Sequence, residues 1–197
     1  MLVFWKENLV LLSVPKTGTT AIQGTLAPHA TMVLRDPPQL KHSPCYRYNR
    51  FLRPLLSQAG GQTPEVMAVV RHPIDWLGSW YRYRSRNNLV GHANSTRDVS
   101  FDDFVIEYCK ERPAPFARVG SQAKFLQVNG ELGVDYLFRY EAQDKIIAFL
   151  EDRLQKPINL KHLNVSPKQE LTLSPDLETK LRQKSPEEFD VWESGRS

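Results

Sequence analysis

Seven residues, Val14-Pro15-Lys16-Thr17-Gly18-Thr19-Thr20, carry the densest chemistry in this chain. They follow a nearly continuous apolar run, Asn8 to Val14, which suits a central strand buried on both faces. They open a stretch, residues 19–27, that fits a short helix stopping before Pro28. Strand, Gly- and Thr-rich turn, then helix is an arrangement that holds an anion. The strand fixes the position, and the first helical turn aims free backbone N–H groups at one point. Lys16 adds a full positive charge, Gly18 lets the backbone come close, and Thr17, Thr19 and Thr20 add hydroxyl donors. In the Walker A pattern, GxxxxGK[ST], the Lys follows the second Gly. Here Lys16 precedes Gly18 and no GK[ST] occurs.

A second anion site is spelled about 50 residues later. The apolar strand Val66–Val70 leads into Arg71-His72-Pro73 and a helix that contains Ser79. An Arg at the carboxyl end of a strand can grip a phosphate with two parallel hydrogen bonds, and ligands of open α/β sheets bind at those carboxyl ends. Ser79 lies two turns along the helix, so its hydroxyl can turn to the same place.

The two segments together resemble the nucleotide motifs of the sulfotransferases that use 3′-phosphoadenosine-5′-phosphosulfate (PAPS). VPKTGTT matches the family's 5′-phosphosulfate loop, PK[ST]GT[ST]; RHPIDWLGSWY at 71–81 resembles its 3′-phosphate motif, RxPxxRxxSxY, with Trp76 in place of the frequent second Arg. LFRYEAQDKIIAFLEDRL at 137–154 and LNVSPKQ at 163–169 resemble the strand–helix unit and C-terminal loop of carbohydrate-type members and their bacterial relatives. The resemblance spans most of residues 8–190. It implies that Pro15, Lys16, Thr17, Gly18, Thr19 and Thr20 hold the phosphosulfate, that Arg71 and Ser79 hold the 3′-phosphate, and that Lys168 reaches the nucleotide. It implies transfer of a sulfuryl group from PAPS to a hydroxyl of an acceptor, a carbohydrate or related natural product, with adenosine 3′,5′-bisphosphate as the product. It also implies a single-domain, three-layer, P-loop-like fold.

Such a transfer runs in line between two oxygens, so catalysis is mostly positioning and charge stabilisation. Lys16 is placed to neutralise charge that develops on the leaving nucleotide, and a base should take the acceptor's proton. The choice falls on His42, in the loop LKHSP, because a neutral imidazole works near pH 7. Asp36 is the carboxylate alternative, while His29 and His72 are weaker. No metal is expected, since no cluster has metal-ligand spacing. Two other readings stay open: a P-loop-like kinase or NTPase with an aberrant loop, and a nucleotide-binding module without catalysis. The helix continues past Ser79 as WYRYRSR, whose mixed aromatic and basic residues could meet a sugar or an anionic acceptor.

These residues need a frame. The order of elements predicts an α/β fold with a mainly parallel sheet of about four to five strands flanked by helices. Strands are expected at 8–14, 30–34, 66–70 and 134–138. Helices are expected at 19–27, 46–58, 73–87, 101–111 and 141–154, with another starting at Ser174-Pro175 and a short, fraying one at the end. Pro54 should kink the second helix or start a new piece, and Gly60-Gly61 should end it. With 197 residues, 41% hydrophobic and 24% charged, the chain suits one domain, residues 1–197. A net charge of +4 is compatible with an anionic ligand. The two cysteines, Cys45 and Cys109, make no disulfide framework, and no apolar run reaches the roughly 20 residues that span a bilayer. The expectation is a cytoplasmic protein that uses neither membrane nor nucleic acid.

Overall fold

The computed structural model describes residues 1–159 and 171–197. Its strands are β1 (Leu2–Phe4), β2 (Leu9–Leu11), β3 (Met32–Val33), β4 (Glu65–Val70), β5 (Gln127–Val128), β6 (Glu131–Leu132) and β7 (Tyr136–Arg139). Its α-helices are α1 (Thr19–Leu26), α2 (Pro38–Lys41), α3 (Cys45–Arg47), α4 (Arg53–Gly60), α5 (Pro73–Arg84), α6 (Phe101–Tyr108), α7 (Gln122–Leu126), α8 (Gln143–Leu154), α9 (Pro175–Lys184) and α10 (Pro186–Glu193). Five strands form one sheet in the order β3-β1-β2-β4-β7, and β5 pairs with β6 as a small separate hairpin. The fold is α/β with helices flanking the sheet.

The sheet is mixed rather than mainly parallel. β2, β4 and β7 run parallel, but β1 pairs antiparallel with both β2 and β3. The apolar start, Leu2 to Phe4, is itself a strand that folds back on β2 through the turn at Trp5–Asn8, where Asn8 takes a left-handed φ of 51°. Three residues are too few for any periodicity to announce a strand.

Alternation along the strands sends side chains to two cores. Val3, Val10, Val66, Ala68 and Val70 pack with Cys45, Tyr48, Leu56 and Leu126 on one face. Leu2, Leu9, Leu11, Met67 and Val69 pack with Ile22, Leu26, Ile146 and Leu150 on the other. A third cluster, with Trp76, Leu77, Phe104, Leu181 and Phe189, joins α5, α6, α9 and α10 beside the sheet.

The expected helix over 46–58 is broken into α3, a π-helical turn at Tyr48–Leu52, and α4, whose first turn holds Pro54. Pro54 has no N–H to donate, so the ladder cannot run through it unbroken. Gly61, at φ 79°, ends α4. Ser100 caps α6 by accepting from the Asp103 amide at 3.0 Å. The helix of Ser79 stops at Arg84 rather than Asn87. The C-terminal segment does not fray. Phe189 and Val191 are buried, and the Arg196 amide donates to Leu137 O at 2.9 Å while Arg139 N donates to Arg196 O at 3.0 Å. Among the described residues, no helix is long and apolar enough to cross a membrane.

Candidate functional site

The three parallel strands deliver their carboxyl ends to one place. β2 runs on through Leu12 to Val14, all buried, into the loop Pro15–Gly18; β4 ends at Val70, just before Arg71; β7 ends at Arg139, just before Tyr140. The loop holds itself shut. Thr17 is buried and its Oγ1 donates to Val14 O at 2.9 Å, so its hydroxyl shapes the turn. Lys16 (φ 68°) and Gly18 (φ 73°) both lie in the left-handed region. A non-glycine residue held there costs about 1–3 kcal/mol and gathers at functional sites. Gly18 leads into α1 with no side-chain cap, and the first amides with helical partners are Ala21 and Ile22, both to Gly18 O. The amides ahead of them belong to the set that a helix start leaves free for an anion.

Tyr140 joins this loop to Arg71. A Cβ placed on Gly18 would lie 3.0 Å from the Tyr140 ring, so the ring stands against one side of the glycine, which stays exposed. The Arg71 guanidinium lies 4.7 Å from the same ring's centroid. Arg71 Nε is buried with no hydrogen-bond partner among the described residues. Its backbone, in contrast, is fully held: Arg71 N donates to Gln122 Oε1 and Gln122 Nε2 donates to Arg71 O, each at 2.9 Å. Gln122 is itself fixed at the start of α7, where buried Glu188 accepts from Ser121 Oγ, from the Gln122 amide at 3.1 Å and from the Ala123 amide at 3.4 Å.

Helix α5 forms the opposite wall. Trp76, which stands where the related motif has an Arg, donates through Nε1 to Pro15 O at 2.9 Å. The missing guanidinium is thus replaced by a tie between helix and loop. Ser79 is buried one turn later on that side of the helix. Trp80 and Tyr83 follow, and Lys16 Nζ lies 5.5 Å and 4.2 Å from their ring centroids. Burial, and then the charges of Arg86, Arg71 and Arg82, lower the Lys16 pKa from 10.5 to about 8. Tyr81 turns away: its hydroxyl donates to Val99 O at 2.8 Å, and its ring packs on Phe101 and Phe104.

His42 caps α2 next to the loop's feeding strand. Its Nδ1 lies 2.7 Å from Ser13 O. A carbonyl oxygen only accepts, so Nδ1 carries the hydrogen, and Nε2 keeps its lone pair in the neutral ring. Burial lowers the His42 pKa below 6.5, and the positive charges of Lys41 and Lys16 push in the same direction. The ring is therefore a neutral base near pH 7. Lys41 Nζ stands 3.5 Å from the Thr20 hydroxyl, tying the same loop to the start of α1. Asp36 is exposed and acts on Lys41. His29 is exposed, with Nδ1 3.3 Å from Lys156 Nζ. His72 packs edge-on against Trp192, ring centroids 4.7 Å apart, and its amide donates to Glu141. Lys168 lies outside the described residues.

Tyr140 and Gln122 were not singled out by sequence. Tyr140 had a signal: it is the first residue past the carboxyl end of a parallel strand, where ligands of such sheets gather. Gln122 had none, because its partner is 51 residues away. Among the described residues, no group of three or more His, Cys, Asp or Glu is placed to hold a metal ion. No family model, curated protein or solved structure matches the chain.

Proposed function

We propose that this chain is a PAPS-dependent sulfotransferase of P-loop-like fold, working in the cytoplasm on a hydroxyl of a carbohydrate or related natural product. One observation carries the reading. Two cations of separate strand ends converge: Arg71 lies over the Tyr140 ring that stands against Gly18, near enough for its charge to lower the Lys16 pKa, and the Arg71 Nε is buried without a partner among the described residues. A donor with phosphate at one end and phosphosulfate at the other fits such a pair. The uncovered Gly18 backbone gives the approach that the phosphosulfate oxygens need.

PAPS supplies the activated sulfuryl group, and the chain supplies the rest. The loop amides and Lys16 Nζ bind the phosphosulfate and hold positive charge at its bridging oxygen. Arg71 fixes the far phosphate. His42 Nε2 takes the hydroxyl proton as the acceptor oxygen bonds to sulfur, and the electron pair of the broken S–O bond leaves with the bisphosphate.

Adenosine 3′,5′-bisphosphate should raise the melting temperature without Mg²⁺, and Arg71→Ala should abolish that rise. Stabilisation by ATP–Mg²⁺ but not by the bisphosphate would favour the kinase reading instead. Labelled sulfate offered from PAPS to a panel of glycans and small alcohols then tests the transfer.

A further inference from the structure

The net charge of this protein resides in one segment. Of its 26 Lys and Arg residues, Lys41, Arg47, Arg50 and Arg53 fall within residues 37–64, and none of its 22 Asp and Glu residues does. The rest of the chain balances at 22 of each, so the whole +4 sits between β3 and β4. That segment begins at the site, where His42 meets Ser13 O and Lys41 meets Thr20.

Three residues past His42 the segment turns helical again. Its inner side, Cys45, Tyr48 and Leu56, lies in the core. Its outer side presents Tyr46, Arg47, Arg50, Phe51 and Leu55, with Tyr46 47%, Phe51 65% and Leu55 55% exposed. Two of the cations lie over two of the rings. The Arg47 guanidinium is 5.7 Å from the Tyr46 centroid and donates to its hydroxyl at 3.0 Å, and that of Arg50 is 5.2 Å from the Phe51 centroid. A π-helical turn, Tyr48–Leu52, underlies the second pair, and such turns recur at functional sites.

A guanidinium beside an exposed ring offers charge and an apolar face together. A sugar ring that bears a carboxylate or sulfate is the complement: its C–H face packs on the aromatic ring, and its anionic group meets the cation. An acidic peptide would use the charges but leave the rings without ring-shaped partners. We propose that this face binds an acidic glycan, a chain carrying carboxylate or sulfate groups, and leads one of its hydroxyls toward His42. That the glycan is an acceptor rests on the sulfuryl-transfer reading; that it binds here does not.

The test is direct binding, without nucleotide, of fluorescent octasaccharides of hyaluronate (carboxylate only) and heparin (sulfate and carboxylate). Neutral dextran, poly-aspartate and phosphatidylserine vesicles complete the panel. At least one acidic octasaccharide should bind, and Arg47→Glu/Arg50→Glu should weaken it by about tenfold or more and make it less salt-dependent. Phe51→Ser should weaken it while leaving the salt dependence in place. Both variants change exposed side chains, and an unchanged melting temperature shows that they fold. The proposal is overturned if neither octasaccharide binds, if the charge reversal leaves affinity unchanged, or if dextran, poly-aspartate or the vesicles bind as tightly as the glycan. Failure of the bisphosphate to stabilise the protein, with glycan binding intact, would remove the transfer reading and leave this one.

Discussion

Two cations flank one indole. Lys16 Nζ and the Arg84 guanidinium each lie 5.5 Å from the Trp80 ring centroid, yet the chain treats them oppositely. Arg84 is 9% exposed and donates to Pro115 O and Phe116 O at 2.7 Å and to Arg118 O at 2.9 Å. Lys16 is also largely buried, but it meets aromatic faces and the repulsion of Arg86, Arg71 and Arg82. No carboxylate pairs with it among the described residues. A buried charge is costly unless answered. The protein answers Arg84 itself, so that cation belongs to the fold. It leaves Lys16 unanswered by any carboxylate among the described residues, which is what the proposed anionic donor calls for.

The comparison breaks first at Lys16→Ala. Transfer of labelled sulfate should fall by about 10²–10³-fold, the usual loss of one charge-stabilising group, while the melting temperature holds or rises because a repelled charge has gone. A variant with full transfer would end the distinction. Arg84→Met should do the reverse. It strands three carbonyls and should lower folding stability by about 2–4 kcal/mol in urea titrations, while bisphosphate affinity of the folded protein is kept. Gly18→Ala should cost about 1–2 kcal/mol for its left-handed backbone, and the methyl's 3.0 Å approach to Tyr140 should weaken bisphosphate binding.

The smallest effect is on pH dependence. The Lys16 pKa is about 8 in the folded protein against 10.5 ordinarily. Between those values the unfolded chain binds more protons, so this group makes stability rise with pH across that window. Below about 8 both states hold the proton, and the destabilisation is fully present. In denaturation from pH 7 to 10.5 the parent should gain stability relative to Lys16→Ala. Bisphosphate affinity, which favours the charged amine, should fall over the same range by calorimetry.

Much of this architecture was legible because its signals are local. The run Asn8–Val14, the Gly-Thr turn and Arg71 at a strand end each say what they are within a few residues. His42 was readable as a base candidate, but its tautomer was not, because Ser13 lies 29 residues away. Strand β1 was hidden by its length, and the break in the helix after Tyr46 was only half signalled, by Pro54. Trp76 read as a lost contact; in the fold its N–H reaches Pro15 O, a pairing across 61 residues that no spacing announces.

The side chain of Gln122 pairs with both backbone groups of Arg71, as a neighbouring strand would, and buried Glu188 of α10 holds Gln122 in place. The last helix of the chain is thereby latched onto the end of β4. The Arg71 amide proton becomes a clock for that latch: its exchange with deuterated solvent should keep time with the undocking of α10, and should quicken in Glu188→Gln before the centre of the sheet loosens.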